Sequence, residues 1–291
     1  MSRTATTAWE IDALQAALQP LAPGLRVEWV ASTGSTNTDL LERMRMGDAR
    51  PVLRVAEDQR SGRGRLGRNW VSAPGASLTF SLGLPYEPRQ WSGLSLAIGA
   101  VLADAIEPRP QRLQLKWPND LWLSDDGSDG PGDGDGEHGW RKLGGILVET
   151  LPLPAGGRGC VIGVGLNVRP LAGSAEFASG HACAQEIDPA LDAPALLARV
   201  APALLQALPR FAHEGFAAFL NAYAARDLLR GRVVRSVPSN LGEAAADGAI
   251  EGVADGVDAD GSLRVRHGRE LTLLSGGEVS VRPMWSGSRV V

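Results

Sequence analysis

A loop rich in glycine and arginine is the part of this sequence whose residue types point most directly to chemistry. It runs from Gln59 to Trp70 (QRSGRGRLGRNW) and carries four arginines, which are Arg60, Arg63, Arg65 and Arg68. Glycines let backbone N–H groups approach an anion closely, and guanidinium groups bind phosphate oxygens in pairs. The loop therefore predicts a site for a polyphosphate or a phosphate ester. An ordinary exposed arginine-rich turn, or a nucleic-acid contact, is the alternative that the loop alone leaves open.

Two familiar phosphate motifs do not fit this loop. Gly62, Gly64 and Gly67 have the G-x-G-x-x-G spacing, but a dinucleotide fold needs a helix to begin at the loop, and a strand pattern follows here. Neither lysine of the chain belongs to the G-K-[ST] ending of a P-loop. A hydrolase triad is also poorly supported, because no G-x-S-x-G elbow occurs.

The lysines form a second small group of candidates. Of 29 cationic residues only Lys116 and Lys142 are lysine, in a chain with a net charge of −4. A lysine among so many arginines suggests a place that needs a compact, flexible ammonium group. The negative net charge argues against nucleic-acid binding through a general basic surface.

The elements that must position these residues follow from the hydrophobic pattern. The segment 32–47 reads as a loop entering a helix, capped by Ser35, Thr36 or Asn37. The segment 76–84 alternates like a half-buried strand, and 142–150 and 159–168 read as buried central strands. Two consecutive helices are predicted at 194–208 and 211–229. The prolines and glycines between these runs supply the predicted turns.

The residue pattern of the sequence changes after these helices. Short valine-rich strands separated by Asp/Gly turns predict a small barrel. We therefore expect two domains, 1–229 and 230–291. The acidic, glycine-rich tract 124–139 predicts a mobile surface loop.

Composition limits the classes of protein that remain. The chain has 291 residues, 44% apolar and 21% charged, which is typical of a globular protein. No apolar run is long enough to span a bilayer, and the N-terminus has no signal-peptide core, which predicts a cytoplasmic protein. Two cysteines, Cys160 and Cys183, are too few for a disulfide framework and are expected in the core.

Five sequence blocks together identify a family resemblance. In order along the chain they are STN (35–37), GRGRLGRNW (62–70), KWPND (116–120), KLGGILVE (142–149) and GVGLNV (163–168). The chain resembles a biotin protein ligase, the enzyme that attaches biotin to carrier domains of carboxylases. The segment around 276–279 is similar to the final domain of that family.

The resemblance implies a fold and an activity. The fold is α+β, with a central mixed β-sheet flanked by helices, as in class II aminoacyl-tRNA synthetases and biotin synthetases, and a small SH3-like barrel at the C-terminal end. The activity is the formation of biotinyl-5′-AMP from biotin and ATP with Mg²⁺, followed by transfer of biotin to a lysine of a biotin carboxyl carrier domain. No DNA or membrane partner is expected, and the protein would be a monomer or a homodimer.

The resemblance also assigns roles residue by residue. Lys142 and Arg65 would be catalytic, nearest the carboxylate and the α-phosphate. The biotin site would consist of Ser35, Thr36, Asn37, Gln59, Gly62, Arg63, Gly64, Arg65 and Lys142. The ATP and adenylate site would consist of Arg63, Arg65, Arg68, Trp70, Lys116, Asn119, Asp120 and Asn167. Asp120 would orient Lys142 or a magnesium-bound water, with a simple turn role as the alternative.

Three departures from the family pattern qualify these expectations. Only 34 residues precede Ser35, too few for the DNA-binding domain of some relatives, so no repressor activity is expected. The acidic tract lengthens the connection between KWPND and KLGGILVE. The sequence reads Leu273-Leu274-Ser275 where some relatives have a tryptophan, which puts a C-terminal contact to ATP in doubt.

Two rival functions stay open at this point. A lipoate or octanoate ligase of the same superfamily would need a pocket for an acyl chain in place of the ureido ring. A non-catalytic nucleic-acid binder would use the Gly/Arg loop and show salt-dependent binding.

Overall fold

The computed structural model describes residues 9–125, 139–171, 173, 177, 179–238, 249–276 and 279–283. Most of the acidic tract, predicted as a mobile surface loop, lies outside these residues, as do Gly277 and Glu278.

A seven-stranded sheet forms the centre of the larger part. Its strands are β1 (Arg26–Thr33), β2 (Val52–Gln59), β5 (Ser77–Pro85), β6 (Leu113–Lys116), β7 (Asp120–Ser124), β8 (Trp140–Pro152) and β9 (Arg158–Asn167). The strand order is β1-β2-β5-β9-β8-β7-β6, with β1 and β2 parallel and all other neighbours antiparallel. The predicted mixed sheet is confirmed.

Helices cover both faces of this sheet. On one face, α3 (Leu94–Ile106) and α4 (Ala193–Glu214) pack together over the main core. On the other face, α2 (Thr36–Arg45) packs through Leu40, Leu41 and Met44 against β2, β5 and β9. The short helices α1 (Ile11–Leu18) and α5 (Leu220–Ala224) complete the layer that holds α3 and α4.

Strand β5 differs from its prediction. The alternation of Leu78, Phe80 and Leu82 predicts a half-buried strand, but seven successive residues of β5 are buried. The strand lies between β2 and β9, and α2 comes so close to its outer face that a Cβ on Gly83 would lie 3.1 Å from Leu40 Cδ1. The alternate positions are therefore buried polar residues rather than exposed ones.

The two helices predicted at 194–208 and 211–229 are also different in the structure. A single helix, α4, continues through Pro209, and only the short α5 and a 3₁₀ segment, Phe216–Phe219, follow it. The buried stripe from Leu196 to Phe211 continues past Pro202 and Pro209 without interruption. Its burial therefore outweighs the backbone hydrogen bond that each of these prolines removes.

A second, antiparallel sheet follows α5. Its five strands, in the order β13-β12-β11-β10-β14, are β10 (Val233–Pro238), β11 (Ile250–Val257), β12 (Leu263–His267), β13 (Glu270–Leu274) and β14 (Val279–Pro283). It contacts the first part where Trp117 Nε1 donates to the carbonyl of Gly261, at 3.0 Å. The α+β fold class is confirmed, and we keep the division into 1–229 and 230–291 as a proposal.

Two further sequence expectations concern burial. Cys160 and Cys183 are both buried free thiols, as predicted for core residues. None of the helices in the described ranges is long and apolar enough to cross a bilayer.

Candidate active site

One cavity brings the five sequence blocks together. It lies on the face of the large sheet that carries α2, beside the N-terminus of that helix. Of the predicted site residues, the following line it: Ser35, Thr36, Asn37, Gln59, Arg63, Gly64, Arg65, Arg68, Trp70, Lys116, Asn119, Asp120, Lys142 and Asn167. Gly62 lies just behind the lining, paired with Trp70.

The N-terminus of α2 and the end of β2 form the floor of the cavity. Ser35 has extended backbone angles and caps α2 through a long contact, 3.5 Å, from the N–H of Thr38. The Oε1 atom of Gln59 accepts a hydrogen bond from the backbone N–H of Thr36, at 2.8 Å, and lies 3.0 Å from the Thr36 hydroxyl oxygen. The capping role and the presence in the cavity therefore coexist, as expected for this segment.

The hydrogen-bond network of the floor includes two residues that the sequence did not single out. Ser81 of β5 lies 2.6 Å from the Thr36 hydroxyl and donates to Asn37 Oδ1, also at 2.6 Å. Asn37 Nδ2 in turn donates to Glu149 Oε2, at 2.9 Å. The available signal for Ser81 was a run of hydroxyl residues at alternate positions of an otherwise apolar strand, namely Ser77, Thr79 and Ser81.

The Gly/Arg loop forms a small hairpin over the cavity. Its strands are β3 (Gly62–Arg63) and β4 (Asn69–Trp70), joined by a 3₁₀ turn, Arg65–Gly67. Leu66 and Gly67 both have left-handed backbone angles, with φ of 58° and 71°. The glycine makes the second of these angles inexpensive.

The arginines of this hairpin point in different directions. Arg63 pairs with Glu149, with 3.1 Å between Nη2 and Oε1. Arg65 donates to Asn119 Oδ1, at 3.2 Å, and to the carbonyl of Gly276. Arg68 is exposed at the outer edge of the cavity. Arg65 is thus the arginine that the structure holds deepest in the site, and its burial lowers the pKa of its guanidinium.

Trp70 covers the strand floor. A Cβ on Gly165 would lie 2.5 Å from the indole ring, so only glycine allows this close approach of ring and backbone. Lys142 Nζ lies 6.0 Å from the ring centre on the same side of the site. The indole N–H of Trp70 is buried without a hydrogen-bond partner among the described residues. A ring placed this way can stack on a flat heterocycle.

Lys142 and Asp120 form the central ion pair. Lys142 Nζ lies 2.8 Å from Asp120 Oδ1, and the role of Asp120 in orienting this lysine stays a prediction. Burial opposes ionisation of Asp120, but the charges of Lys142, Lys116 and Arg65 outweigh it, and the pKa of the carboxyl falls below its usual value. Lys142 and Arg65 alone place two cations beside one carboxylate, which leaves positive charge available for an anion.

The two asparagines are held by backbone carbonyls. Asn119 Nδ2 donates to the carbonyl of Ile146, at 2.9 Å, so its Oδ1 faces Arg65. Asn167 Nδ2 donates to the carbonyls of Lys142 and Ala182, at 3.1 and 3.0 Å. Both amide orientations are therefore fixed before any ligand arrives.

The acidic residues of the site do not form a metal centre. Within the described ranges, no group of three or more His, Cys, Asp or Glu residues is arranged to hold a metal ion. Asp120, the one candidate from the sequence, faces lysines and an arginine.

Comparisons with known proteins agree with this geometry. The model of the biotin/lipoate A/B protein ligase family matches residues 29–167. The bifunctional ligase/repressor BirA of Salmonella typhimurium is 34% identical over 255 residues, which are 85% of this chain and 72% of that protein. The biotin–[acetyl-CoA-carboxylase] ligase of Mycobacterium tuberculosis is 33% identical over 278 residues, 87% of this chain and 88% of that one.

Similarity extends to solved structures. The biotin protein ligase from Aquifex aeolicus, in complex with biotin and ATP, has a TM-score of 0.69 and 25% identity, covering 89% of this chain and 99% of that one. The likeness therefore includes both the large sheet and the region after it.

Proposed function

This chain belongs to the biotin protein ligase family and is a biotin ligase, and from that premise we propose how its own residues carry out the two steps of the reaction. In the first step, a carboxylate oxygen of biotin attacks the α-phosphorus of ATP, the bond to the β-phosphate breaks, and pyrophosphate leaves. In the second step, an acceptor lysine amine attacks the acyl carbon of biotinyl-5′-AMP, its proton passes to solvent, and AMP leaves.

Lys142 and Arg65 are the catalytic residues in this proposal. Both reactants of the first step are anions, so cations fixed between them reduce their repulsion and stabilise the charge that develops at phosphorus. Lys142 is held by Asp120, and Arg65 is held by Asn119, so neither group has to reorganise. Each preorganised cation is expected to lower the barrier by about 2 to 4 kcal/mol.

The nucleotide lies under the hairpin in this proposal. Trp70 stacks on adenine, and Asn167 meets its edge. Arg63, Arg68, Lys116, Asn119 and Asp120 surround the phosphates and the adenylate. Mg²⁺ arrives as part of the substrate, bound to the ATP phosphates, because Asp120 is committed to its cationic neighbours. Closure of the hairpin keeps water from the mixed anhydride.

Biotin lies against the floor. Ser35, Thr36, Asn37 and Gln59 offer hydroxyl and amide groups suited to a neutral ureido ring, and the carboxylate end points toward Lys142 and Arg65. Gly62, Arg63 and Gly64 supply backbone from the hairpin above.

The acceptor is a biotin carboxyl carrier domain of a carboxylase, in line with the named substrate of the Mycobacterium tuberculosis relative. We propose that it docks by strand pairing at a sheet edge, that the enzyme is a monomer or a homodimer, and that it works in the cytoplasm, where ATP is available. We propose no DNA or membrane partner.

One observation carries the proposal: side chains from five blocks that lie far apart in the chain converge on one cavity around Lys142 and Arg65. The test is ATP–pyrophosphate exchange with purified protein, using biotin, lipoate and octanoate as alternative acids. Exchange with biotin is expected. Exchange with lipoate or octanoate alone would reject biotin as the substrate, and salt-dependent binding to RNA without any exchange would favour the nucleic-acid binder.

A further inference from the structure

Glu149 does not line the cavity, yet it touches both the floor and the hairpin. Its Oε2 accepts from Asn37 Nδ2, at 2.9 Å, and its Oε1 lies 3.1 Å from Arg63 Nη2. The side chain is 22% exposed. As an ionised carboxylate it can only accept hydrogen bonds, so it holds the N–H₂ side of the Asn37 amide toward it, at a shorter distance than the Leu147 carbonyl, which accepts from the same nitrogen at 3.4 Å.

This constraint passes along a chain of hydrogen bonds. With Asn37 Nδ2 on Glu149, the Oδ1 atom faces Ser81 and can only accept, so the single hydroxyl proton of Ser81 goes to Asn37. The oxygen of Ser81 must then accept, so Thr36 gives its own hydroxyl proton to Ser81 across 2.6 Å.

The last contact of the chain is left without a proton. Thr36 Oγ1 also lies 3.0 Å from Gln59 Oε1, the longest of the three oxygen–oxygen contacts. Two hydroxyl protons cannot fill three contacts, and the two shorter contacts take them. Thr36 Oγ1 and Gln59 Oε1 therefore both present acceptor lone pairs, with Gln59 Oε1 already accepting the backbone N–H of Thr36, and an N–H donor from a ligand completes the pair.

Packing keeps the Asn37 amide in place. Asn37 is 4% exposed, and a Cβ on Gly163 would lie only 2.2 Å from Asn37 Oδ1. The amide can rotate by 180° about its Cβ–Cγ bond, which exchanges Oδ1 and Nδ2, but the side chain cannot move out of this position. After such a rotation, Asn37 would donate to Ser81, Ser81 to Thr36, and Thr36 to Gln59. All three contacts would then contain a proton, and no N–H donor from a ligand would be needed.

We propose that Glu149 is a specificity-determining positioning residue, which sets the direction of the chain Asn37–Ser81–Thr36 so that the floor selects a ligand carrying N–H groups. This rests on the proposed function, in which the ureido ring of biotin lies on the floor. The ring of lipoate has no N–H group and could not complete the acceptor pair. The pairing with Arg63 ties the same carboxylate to the hairpin.

The test uses Glu149→Gln, which keeps the shape of the side chain but supplies an N–H₂ group that can donate to Asn37 Oδ1 and so permits the reversed chain. We expect the KM for biotin in pyrophosphate exchange to rise about tenfold, the cost of a lost hydrogen bond to a polar ligand group, with kcat little changed. The matched control is Glu214→Gln, at the exposed end of α4.

A second variant, Ser81→Ala, interrupts the same chain and is expected to raise the biotin KM too. Both changes remove the same requirement for an N–H donor from the ligand. The biotin KM of the double variant should therefore be no higher than that of the more impaired single variant. A biotin KM unchanged in Glu149→Gln, or fully additive effects in the double variant, would overturn the inference. These outcomes are read in a wild-type enzyme that exchanges pyrophosphate with biotin, so they are separate from a failure of the proposed function.

Discussion

Two aspartates lie on either side of strand β6, and the protein shifts the pKa values of their carboxyl groups in opposite directions. Asp120, the first residue of β7, lies opposite Lys116 in the antiparallel register of β6 and β7, on the side of the cavity. Asp227 forms a bridge with Leu115 on the other side, where the chain approaches the second sheet. Burial raises the pKa of Asp227 to about 6, whereas the surrounding cations hold the pKa of Asp120 below its usual value.

The supply of cations separates these two regions. Around Asp120, Lys142 and Arg65 together provide more positive charge than one carboxylate neutralises. Next to Asp227, the buried guanidinium of Arg226 turns to Asp104 and Glu107 instead. The cavity is therefore prepared for an additional anion, whereas at the junction burial outweighs the backbone hydrogen bonds and the Arg230 charge that favour ionised Asp227.

The largest effect is expected from breaking the junction network with Arg226→Ala. The Arg226 side chain is 0% exposed, and it donates to Asp104, Glu107 and the carbonyl of Leu113. Its loss leaves Glu107 largely buried without this partner. We expect a decrease of about 3 to 5 kcal/mol in the free energy of unfolding, measured by urea denaturation.

The matched control is Arg210→Ala, an exposed arginine that pairs with Glu214 on the surface of α4. It should cost less than about 1 kcal/mol. Equal losses in the two variants would contradict the view that the buried network stabilises the junction.

The next effect concerns the cavity and follows from Lys142→Ala. We expect adenylate formation to fall by about 30-fold to 1000-fold, which corresponds to about 2 to 4 kcal/mol, while the thermal unfolding transition is retained. Without its nearest cation, Asp120 should come to resemble Asp227, so its pKa should rise. Single-turnover formation of biotinyl-5′-AMP and NMR titration of the Asp120 carboxyl measure the two effects.

Near-wild-type adenylation in this variant would remove Lys142 from its catalytic role. An unchanged pKa of Asp120 would instead show that Lys116 and Arg65 alone hold the carboxylate, and the comparison with Asp227 would have to be redrawn around them.

Much of the fold could be predicted from the sequence, because local patterns determined it. The β-branched runs of β8 and β9, and the serine before α2, gave elements close to those observed. The single helix α4 could not be predicted in this way. Proline at 209 is a local signal for a helix end, while the buried stripe that overrides it depends on the sheet beneath.

The site was predictable as a set of residue types but not as a network. The family blocks named Asp120 as a residue that would orient Lys142, and the pairing of β7 with β8 places the two groups 2.8 Å apart. Ser81 and Glu149 act on Asn37 from strands that are 44 and 112 residues away in sequence. Only the three-dimensional register of β5, β8 and α2 brings these partners together.

The smallest of the expected effects comes from Asp227→Asn and tests the other half of the comparison. The pKa of Asp227 is raised in the folded protein, so between about pH 4 and pH 6 the folded state binds more protons than the unfolded state. Stability contributed by this group is complete below that window and is lost as the pH rises through it. Asparagine keeps an acceptor for the N–H of Leu229 and removes the titration, so the variant should be more stable than the wild type at pH 7.5, by up to about 3 kcal/mol, and nearly equal to it at pH 4.

Asp120→Asn in the same urea assay supplies the opposing case. Its carboxylate is stabilised by Lys142, so its removal should lower stability at pH 7.5 rather than raise it. The sign of the two effects is the decisive measurement, since it depends only on whether cations surround the carboxyl. If both variants were more stable than the wild type at pH 7.5, burial would govern both sites, and the excess positive charge assigned to the cavity would lose its physical basis.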